Sequence, residues 1–496
     1  MSAIPKSVSV VKEVVCQNFV NGKFCASKGK FLDVLSPYSG AVIGSVPLSS
    51  EAEVDEAIKF SSEAFKAWSR KTFKERSQYL FKYREILLNR IDEVADVAAA
   101  ESGKTFAEAK AEVNKGIEVV EYALSLQNKV HNVGVLEVSS GVECKEVRMP
   151  MGVTVGITPF NFPAMVPMWL YPISLACGNT FIWKPSEKVP LTAQILSEIM
   201  NDAGFPAGVF QTINGAKEVV DRLVSSSETK VISFVGSSKV AKDVYIKSST
   251  EGKRSLCLGG AKNHIILCED AEPEITIQGI VDSFTGCAGQ RCMAASVLLA
   301  VGNVEDLISK ITNRAKDVEL GSSMGAIIDE ASLNRIKNII ETAKKEGAKI
   351  ILDGTKAQAP KGMEGGFWIG PTIIDGATED MECVKTEIFG PVLTICRVKT
   401  LEEAIQRENR HSYGNATSVF TTSGAVAEYV SKFSSNGMIG INIGVPVPRE
   451  PFSFGGTKDS KYGQGDITGD ASLDLWTNIK KITTKWQKID KIDWMS

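Results

Sequence analysis

The sequence is short of histidine and of paired cysteines. Only His131, His264 and His411 occur in 496 residues, none spaced for a shared metal ion. The ten cysteines (16, 25, 144, 177, 257, 268, 287, 292, 383, 396) include no C-x-x-C pair. Neither a metal site nor a disulfide framework is expected, and the thiols read as reduced. An excess of charge is also lacking, with 56 basic residues against 59 acidic ones. That balance excludes the strongly basic surface that nucleic acid or an acidic membrane requires. No apolar run approaches the roughly 20 residues that span a bilayer. The opening "MSAIPKSVSVVKEVV" has no signal-peptide core and no arginine, and Glu13 argues against a transit role, so a cytoplasmic protein is expected. A last absence is the dinucleotide fingerprint: no G-x-G-x-x-G follows a strand, and "GQGDITG" at 463–469 has one residue too many and no strand–helix context.

The length exceeds what one core usually supports, so two or three domains are expected. From residue 51 the pattern is helical: Val54, Ile58, Phe65 and Trp68 recur at helix spacing, and Leu80, Tyr83, Leu87, Ile91 and Val94 lie on one stripe. Near 152 the rhythm changes to short β-rich runs, "GVTVGI", "TFIWK", "GVFQTI" and "VISFVG", separated by helix-length segments. This predicts an α/β protein with a doubly wound parallel sheet that binds ligands at the carboxyl ends of its strands. A second strand–helix series from about 263 predicts a second α/β domain, with Gly259–Gly260 as the crossing. The expected division is a Rossmann-like cofactor domain over 1–131 and 150–258, and a catalytic domain over 259–440. The extended segments 132–149 and 465–487 have no obvious partner in sequence. They are expected to form a small β oligomerisation arm that pairs with another subunit in a homo-oligomer, dimer or tetramer, because a two-stranded ribbon alone is marginal.

The chemistry concentrates in a few segments. Gly236 and Ser237 stand between a strand and a helix, where free backbone N–H groups suit a pyrophosphate and where a serine is equally an ordinary N-cap. In "WKPSEK", Lys184 could meet a phosphate or ribose and Glu187 could accept from ribose hydroxyls. A carboxylate there favours NAD over NADP. In "TGCAGQRCMAAS", Cys292 reads either as a buried structural thiol or as a nucleophile. Small neighbours leave access to its sulfur, and Arg291 would favour the thiolate.

Six segments in order, "PFNFP", "WKPSE", "FVGSSKVA", "LGGAKN", "GQRCMAAS" and "EIFGPV", resemble the aldehyde dehydrogenase superfamily over nearly the whole chain. Its CoA-acylating branch, which oxidises methylmalonate semialdehyde, is the most similar. The resemblance implies Cys292 as nucleophile and Asn161, with the backbone N–H of Cys292, as oxyanion hole. It implies Lys184, Glu187 and Lys188 on the adenosine side of NAD, and Gly236 and Ser237 at the pyrophosphate. Thr158 and Phe160 would line the cofactor, Glu387 with Phe389 would hold the nicotinamide ribose, and Cys287 would be packing. Arg291 is the implied partner of a substrate carboxylate. A second cation is expected at Lys115, where the branch carries arginine, so the charge survives without the bidentate fork.

Hydrolytic members carry E-L-G-G-K, whose glutamate activates water. Here "CLGGAKN" puts Cys257 in its place if aligned on the glycines and Leu258 if aligned on the lysine, and neither is a base for water. A thiol needs less activation, so coenzyme A is the expected acyl acceptor. The expected reaction is NAD-dependent oxidation of a small (methyl)malonate-type semialdehyde, with loss of CO2, to propionyl-CoA or acetyl-CoA. The alternatives are a hydrolytic aldehyde dehydrogenase, favoured by Lys115 and "GGTKDSKYG", and a catalytically silent relative.

Overall fold

A computed structural model describes residues 14–130 and 133–486, and every count below refers to these. His131 and the ends of the expected cofactor domain and arm (residues 1–13 and 487) lie outside them.

The amino-terminal helices are α1 (Glu51–Trp68), α2 (Phe73–Asn89), α3 (Ile91–Ser102) and α4 (Phe106–Ser125). Three of them start on the same device. Ser50, Thr72 and Thr105 each accept from the amide of a glutamate three residues on, and Glu53, Glu75 and Glu108 reach back to the cap residue, which satisfies two orphan donors at each end. The stripe from Leu80 to Val94 is split between two helices. Arg90 ends α2 and begins α3 with φ −109° and ψ 14°, yet Leu80, Tyr83, Leu87 and Val94 all stay buried. One non-helical residue leaves the apolar spacing intact, so periodicity cannot reveal the break.

The first sheet has eight strands, in the order 461–463, 254–258, 229–235, 153–157, 180–184, 210–212, 18–20, 23–25. The five from 254–258 to 210–212 run parallel, and the flanking strands 461–463 and 18–20 join them antiparallel, with 23–25 at the edge beyond 18–20. On it pack α5 (Met165–Ala176), α6 (Pro190–Asp202), α7 (Lys217–Ser225) and α8 (Ser238–Thr250). The second sheet has seven strands, in the order 349–352, 372–375, 392–398, 295–301, 263–267, 416–420, 438–441, all parallel except the first pair. The chain passes between the two sheets at Gly259–Gly260, as the glycine pair suggests. Parallel strands buried on both faces explain the continuous β-branched and aliphatic runs of both series.

The two extended segments do meet. Strand 142–150 pairs antiparallel with 133–139 on one side and with 477–485 on the other, making a three-stranded sheet. Its carboxy-terminal strand begins at Thr477. Residues 461–463 belong to the first sheet, and Ile467, Leu473, Leu475 and Trp476 are buried in the main core, so the arm is shorter than 465–487. No helix is long and apolar enough to cross a membrane among the described residues.

Candidate active site

The strand order of the first sheet reverses between 153–157 and 229–235. One branch of the chain proceeds outward through 180–184 and 210–212, the other through 254–258. A crevice at such a switch point, beyond the carboxyl ends of the strands, is where open α/β sheets hold ligands. A cavity of about 850 Å³ lies there, lined by Thr158, Phe160, Asn161, Lys184, Glu187, Lys188, Gly236, Ser237, Cys292, Glu387 and Phe389 among others. The second sheet faces it with its amino ends: Asn263, Cys292 and Asn415 all lie just before or at the start of its strands. The rule that strand carboxyl ends make the site therefore holds for the first sheet and is inverted for the second.

Each predicted cofactor residue can be placed. Ser237 is the N-cap residue of α8, yet its side chain makes no capping bond. The first amides of that helix are thus left for an anion. Gly236 closes the preceding turn by donating its N–H to Leu258 O at 3.1 Å. Lys184 and Glu187 form an ion pair at 3.0 Å. Burial raises the Glu187 acid, but Lys184, the Glu187 backbone N–H and Lys188 together more than offset this and hold it below the usual carboxylate range. Lys188 is committed elsewhere: its ammonium reaches Asp329 Oδ2 at 2.5 Å and lies 5.1 Å above the Phe160 ring. Phe160 and Phe389 meet edge to face at 5.9 Å. Glu387 Oε1 accepts the Ala261 N–H at 2.9 Å, and a β-carbon on Gly260 would stand 2.5 Å from Glu387 Oε2. The second glycine of the crossing thereby makes room for this carboxylate, whose acidity is weakened by burial.

Cys292 sits where the cofactor cavity meets a second one of about 450 Å³, lined by Glu108, Lys115, Phe162, Trp169, Cys287, Arg291, Val445, Val447, Arg449 and Phe454 among others. Its carbonyl is pinned by Asn263 Nδ2 at 2.8 Å and Asn415 Nδ2 at 2.9 Å. Asn161 donates to Gln290 O at 2.9 Å, which aims it at the same loop two residues before the thiol. The expected thiolate is not favoured in this state. Burial, then the charge of Glu387, pushes the Cys292 thiol up to about 12, and Arg291 opposes this only weakly. The reason is where Arg291 points: its Nε donates to Cys287 Sγ at 3.2 Å, and its Nη2 lies 3.7 Å from Glu108. Cys287 therefore lines the second cavity and accepts from the arginine, which goes beyond filling space. The loop is conformationally costly. Cys287 (φ 52°) and Ala288 (φ 52°) are both left-handed ahead of Gly289, at roughly 1–2 kcal/mol for each non-glycine residue.

Lys115 is also in this cavity, but it pairs with Glu118 and Glu450, each at 2.9 Å. Its charge is thus matched before any substrate arrives. The sequence reading passed over the carboxylates of the α3–α4 region that hold the site together. Glu101 accepts from the amides of Leu191 and Thr192 at the start of α6. Glu112, ion-paired to buried Lys104, accepts from Ala164 and Met165 at 2.8 and 3.1 Å, capping the helix that follows Asn161. The ambiguity in "CLGGAKN" is resolved by strand alternation. Cys257 is buried among Val155, Phe234 and Val244, while Leu258 faces the cofactor cavity.

A cleft at the switch point of a doubly wound sheet, with a cysteine, an asparagine and a carboxylate on its wall, is the arrangement of an α/β enzyme. The chain belongs to the aldehyde dehydrogenase family, whose sequence profile matches residues 24–482. It is 40% identical over 478 residues to malonate-semialdehyde dehydrogenase 2 of Geobacillus kaustophilus, covering 95% of this chain and 98% of that one. It is 38% identical over 496 residues to the human mitochondrial methylmalonate-semialdehyde/malonate-semialdehyde dehydrogenase [acylating], covering 99% of this chain and 92% of that one. Among solved structures it resembles methylmalonate-semialdehyde dehydrogenase from Oceanimonas doudoroffii with TM-score 0.94 and 35% identity, over 96% of this chain and 99% of that one. A provisionally assigned methylmalonate-semialdehyde dehydrogenase from Sinorhizobium meliloti 1021, complexed with NAD, has TM-score 0.94 and 34% identity over 97% and 100% of the two chains.

Proposed function

We propose that this chain oxidises a small (methyl)malonate-type semialdehyde with NAD and passes the acyl group from Cys292 to coenzyme A, with loss of CO2, giving propionyl-CoA or acetyl-CoA. The observation that carries the acyl-transfer part is Leu258, an apolar side chain on the cleft beside Gly259 where hydrolytic relatives would present a base. The carboxylates lining the two cavities nearest the thiol are already engaged. Glu112 is held by Lys104 and two amides, Glu108 by Thr105 and Cys287, and Glu387 by Ala261. Glu387 is held through one oxygen only, so among these carboxylates water at the thioester has at most that one to activate it, while a thiol nucleophile needs little help.

The residues present fit NAD. The uncapped first turn of α8 suits the pyrophosphate, the Lys184–Glu187 pair suits a ribose diol and disfavours a 2′-phosphate, and Glu387 suits the nicotinamide ribose. When bound, NAD supplies the hydride acceptor. The chain's own residues do the rest. The Cys292 sulfur gives up its proton and adds to the aldehyde carbon. Asn161 and the Cys292 N–H meet the developing oxyanion. When the C–H bond is broken the adduct becomes a thioester on Cys292; loss of CO2 breaks the bond between the α-carbon and the carboxylate, leaving an enolate that takes up a proton, and the thiol of coenzyme A displaces the Cys292 thiolate from the acyl carbon. Arg291, which lines the second cavity, would receive the substrate carboxylate, with Lys115 as a subsidiary charge.

The relatives named for malonate and methylmalonate semialdehydes, and the one that is [acylating], support the same reading. NADH formation with and without coenzyme A tests it. The expected product is an acyl-CoA, with turnover dependent on coenzyme A; equal rates with free acid as the only product would overturn it. The proposal includes a cytoplasmic location, which suits ten unbridged cysteines. It also includes a homodimer or homotetramer assembled through the arm, whose outer strand exposes Val133, Val135, Leu136 and Val138. A monomer by light scattering would remove that last element.

A further inference from the structure

The three capping boxes of the amino-terminal helices invite comparison. In the first, Glu53 Oε2 accepts from the Ser50 amide and hydroxyl, both at 2.8 Å. In the second, Glu75 Oε2 accepts from the Thr72 amide and hydroxyl at 2.7 and 2.8 Å. Both stand at the surface: Glu75 serves its own helix, and Glu53 reaches besides only the Ser27 hydroxyl of the preceding loop. Glu108 repeats the motif, with Oε2 accepting from the Thr105 amide and hydroxyl, both at 3.0 Å. Its other oxygen leaves the helix. Oε1 accepts the Cys287 N–H at 2.6 Å and faces Arg291 Nη2 at 3.7 Å. A cap that in the other two helices stays at the surface here becomes a strut to a buried loop across 179 residues of sequence.

What the strut holds is the left-handed turn Cys287–Ala288–Gly289, which persists only when its surroundings over-determine it. Gln290 secures the other end: its Oε1 accepts from Ile328 N at 3.0 Å and its Nε2 donates to Ala326 O at 3.2 Å. Cys292 follows two residues later. The amide of Cys287 has its partner in Glu108, and the guanidinium of Arg291 is carried between Cys287 Sγ and that same carboxylate.

We propose that Glu108 is a positioning residue for the nucleophile: through Oε1 it fixes the turn that sets the Cys292 thiol against the oxyanion-stabilising groups. It acts through the loop and touches no reacting atom. The inference rests on Cys292 being the nucleophile, and not on which acyl acceptor or aldehyde is used, so propanal serves as well as malonate semialdehyde. The Cys292→Ala variant is run alongside, because retained turnover there would remove the nucleophile reading itself.

The test compares four variants by NADH formation. Glu108→Ala loses both cap and strut, and Glu108→Asp keeps a capping carboxylate one methylene too short to reach Cys287. Both are expected to lower kcat with propanal about 100-fold, the scale of a misplacement near 1 Å, while KM stays within about threefold. Glu108→Gln retains an acceptor for the Cys287 N–H and is expected to recover most of kcat. Thr105→Val loses the cap hydroxyl but keeps the strut, and is expected to lower the melting temperature while leaving kcat near wild type. Tight NAD binding by each variant establishes that it is folded, and Glu108→Asp carries the test if Glu108→Ala does not fold. Wild-type kcat in Glu108→Asp, or a kcat loss in Thr105→Val equal to that of the Glu108 variants, would overturn the proposal.

Discussion

The cofactor cleft and the second cavity meet at Cys292, where Phe162, Met165, Trp169 and Phe454 line both, but most of their remaining walls are built in opposite ways. The cleft is made by loops that leave successive strands of one sheet, so its residues cluster in short segments: Thr158 to Asn161, Lys184 to Lys188, Gly236 to Ser237. The cavity is made by α4, the 162–169 segment, a loop from the middle of the chain and the 445–454 segment. Its cations are also handled differently. In the cleft, Lys184 is held by a carboxylate placed to share a ligand with it. In the cavity, Lys115 is matched by Glu118 and Glu450, and Arg291 keeps only a thiol contact and a carboxylate 3.7 Å away. The cleft is preset for a fixed ligand, while the cavity keeps one unsaturated cation in reserve. That difference teaches which residue should discriminate among aldehydes.

The largest effect falls where the two regions meet. Cys292→Ala is expected to reduce NADH formation by at least about 10,000-fold with every aldehyde, since no covalent step survives, while NAD binding measured by fluorescence stays intact. Residual turnover within tenfold of wild type would separate the two regions altogether. Asn161→Ala removes an oxyanion donor and is expected to cost about 100- to 1,000-fold in kcat, with little change in either KM.

The next pair of variants breaks the comparison open. Arg291→Met is expected to raise KM for malonate semialdehyde about tenfold to 100-fold, the worth of a charged hydrogen-bonded contact, with KM for NAD and for propanal unmoved. Lys184→Met should do the reverse, raising KM for NAD about tenfold with the aldehyde parameters unmoved. If Lys115→Met reproduces the Arg291→Met effect, the cavity holds its cations as the cleft does and the contrast collapses.

The sequence discloses these regions unequally for the same structural reason. A motif is readable when the residues that touch one ligand are neighbours in the chain, as at "WKPSEK" and "FVGSSK". The strut from Glu108 could not be read, because T-x-x-E signals a capping box whichever way its second oxygen points. The pairing of Lys115 with Glu450 spans 335 residues and leaves no local trace. The fold shows the same division. Alternating strands and helices announce two doubly wound sheets, whereas the break at Arg90 and the start of the arm at Thr477 depend on backbone geometry and burial that periodicity does not encode. Adjacency in sequence pairs Arg291 with Cys292, but loop geometry turns the guanidinium to Cys287 and Glu108 instead.

The smallest effect decides which region governs the thiol. Cys292 is pushed up to about 12 by burial first and by Glu387 next, against a weak pull from Arg291. A thiol raised this far is almost wholly protonated at neutral pH, so the reactive thiolate grows as pH rises. Alkylation of the free enzyme by iodoacetamide should therefore accelerate about tenfold per pH unit from about pH 7 to 10 without a plateau. At fixed pH, Glu387→Gln removes the nearest opposing charge from the cofactor side and should speed alkylation about threefold. Arg291→Met should slow it by less than that, because the guanidinium spends itself on Cys287 and Glu108. If Arg291→Met moves the rate more than Glu387→Gln does, the substrate side commands the nucleophile and the cleft only houses the cofactor.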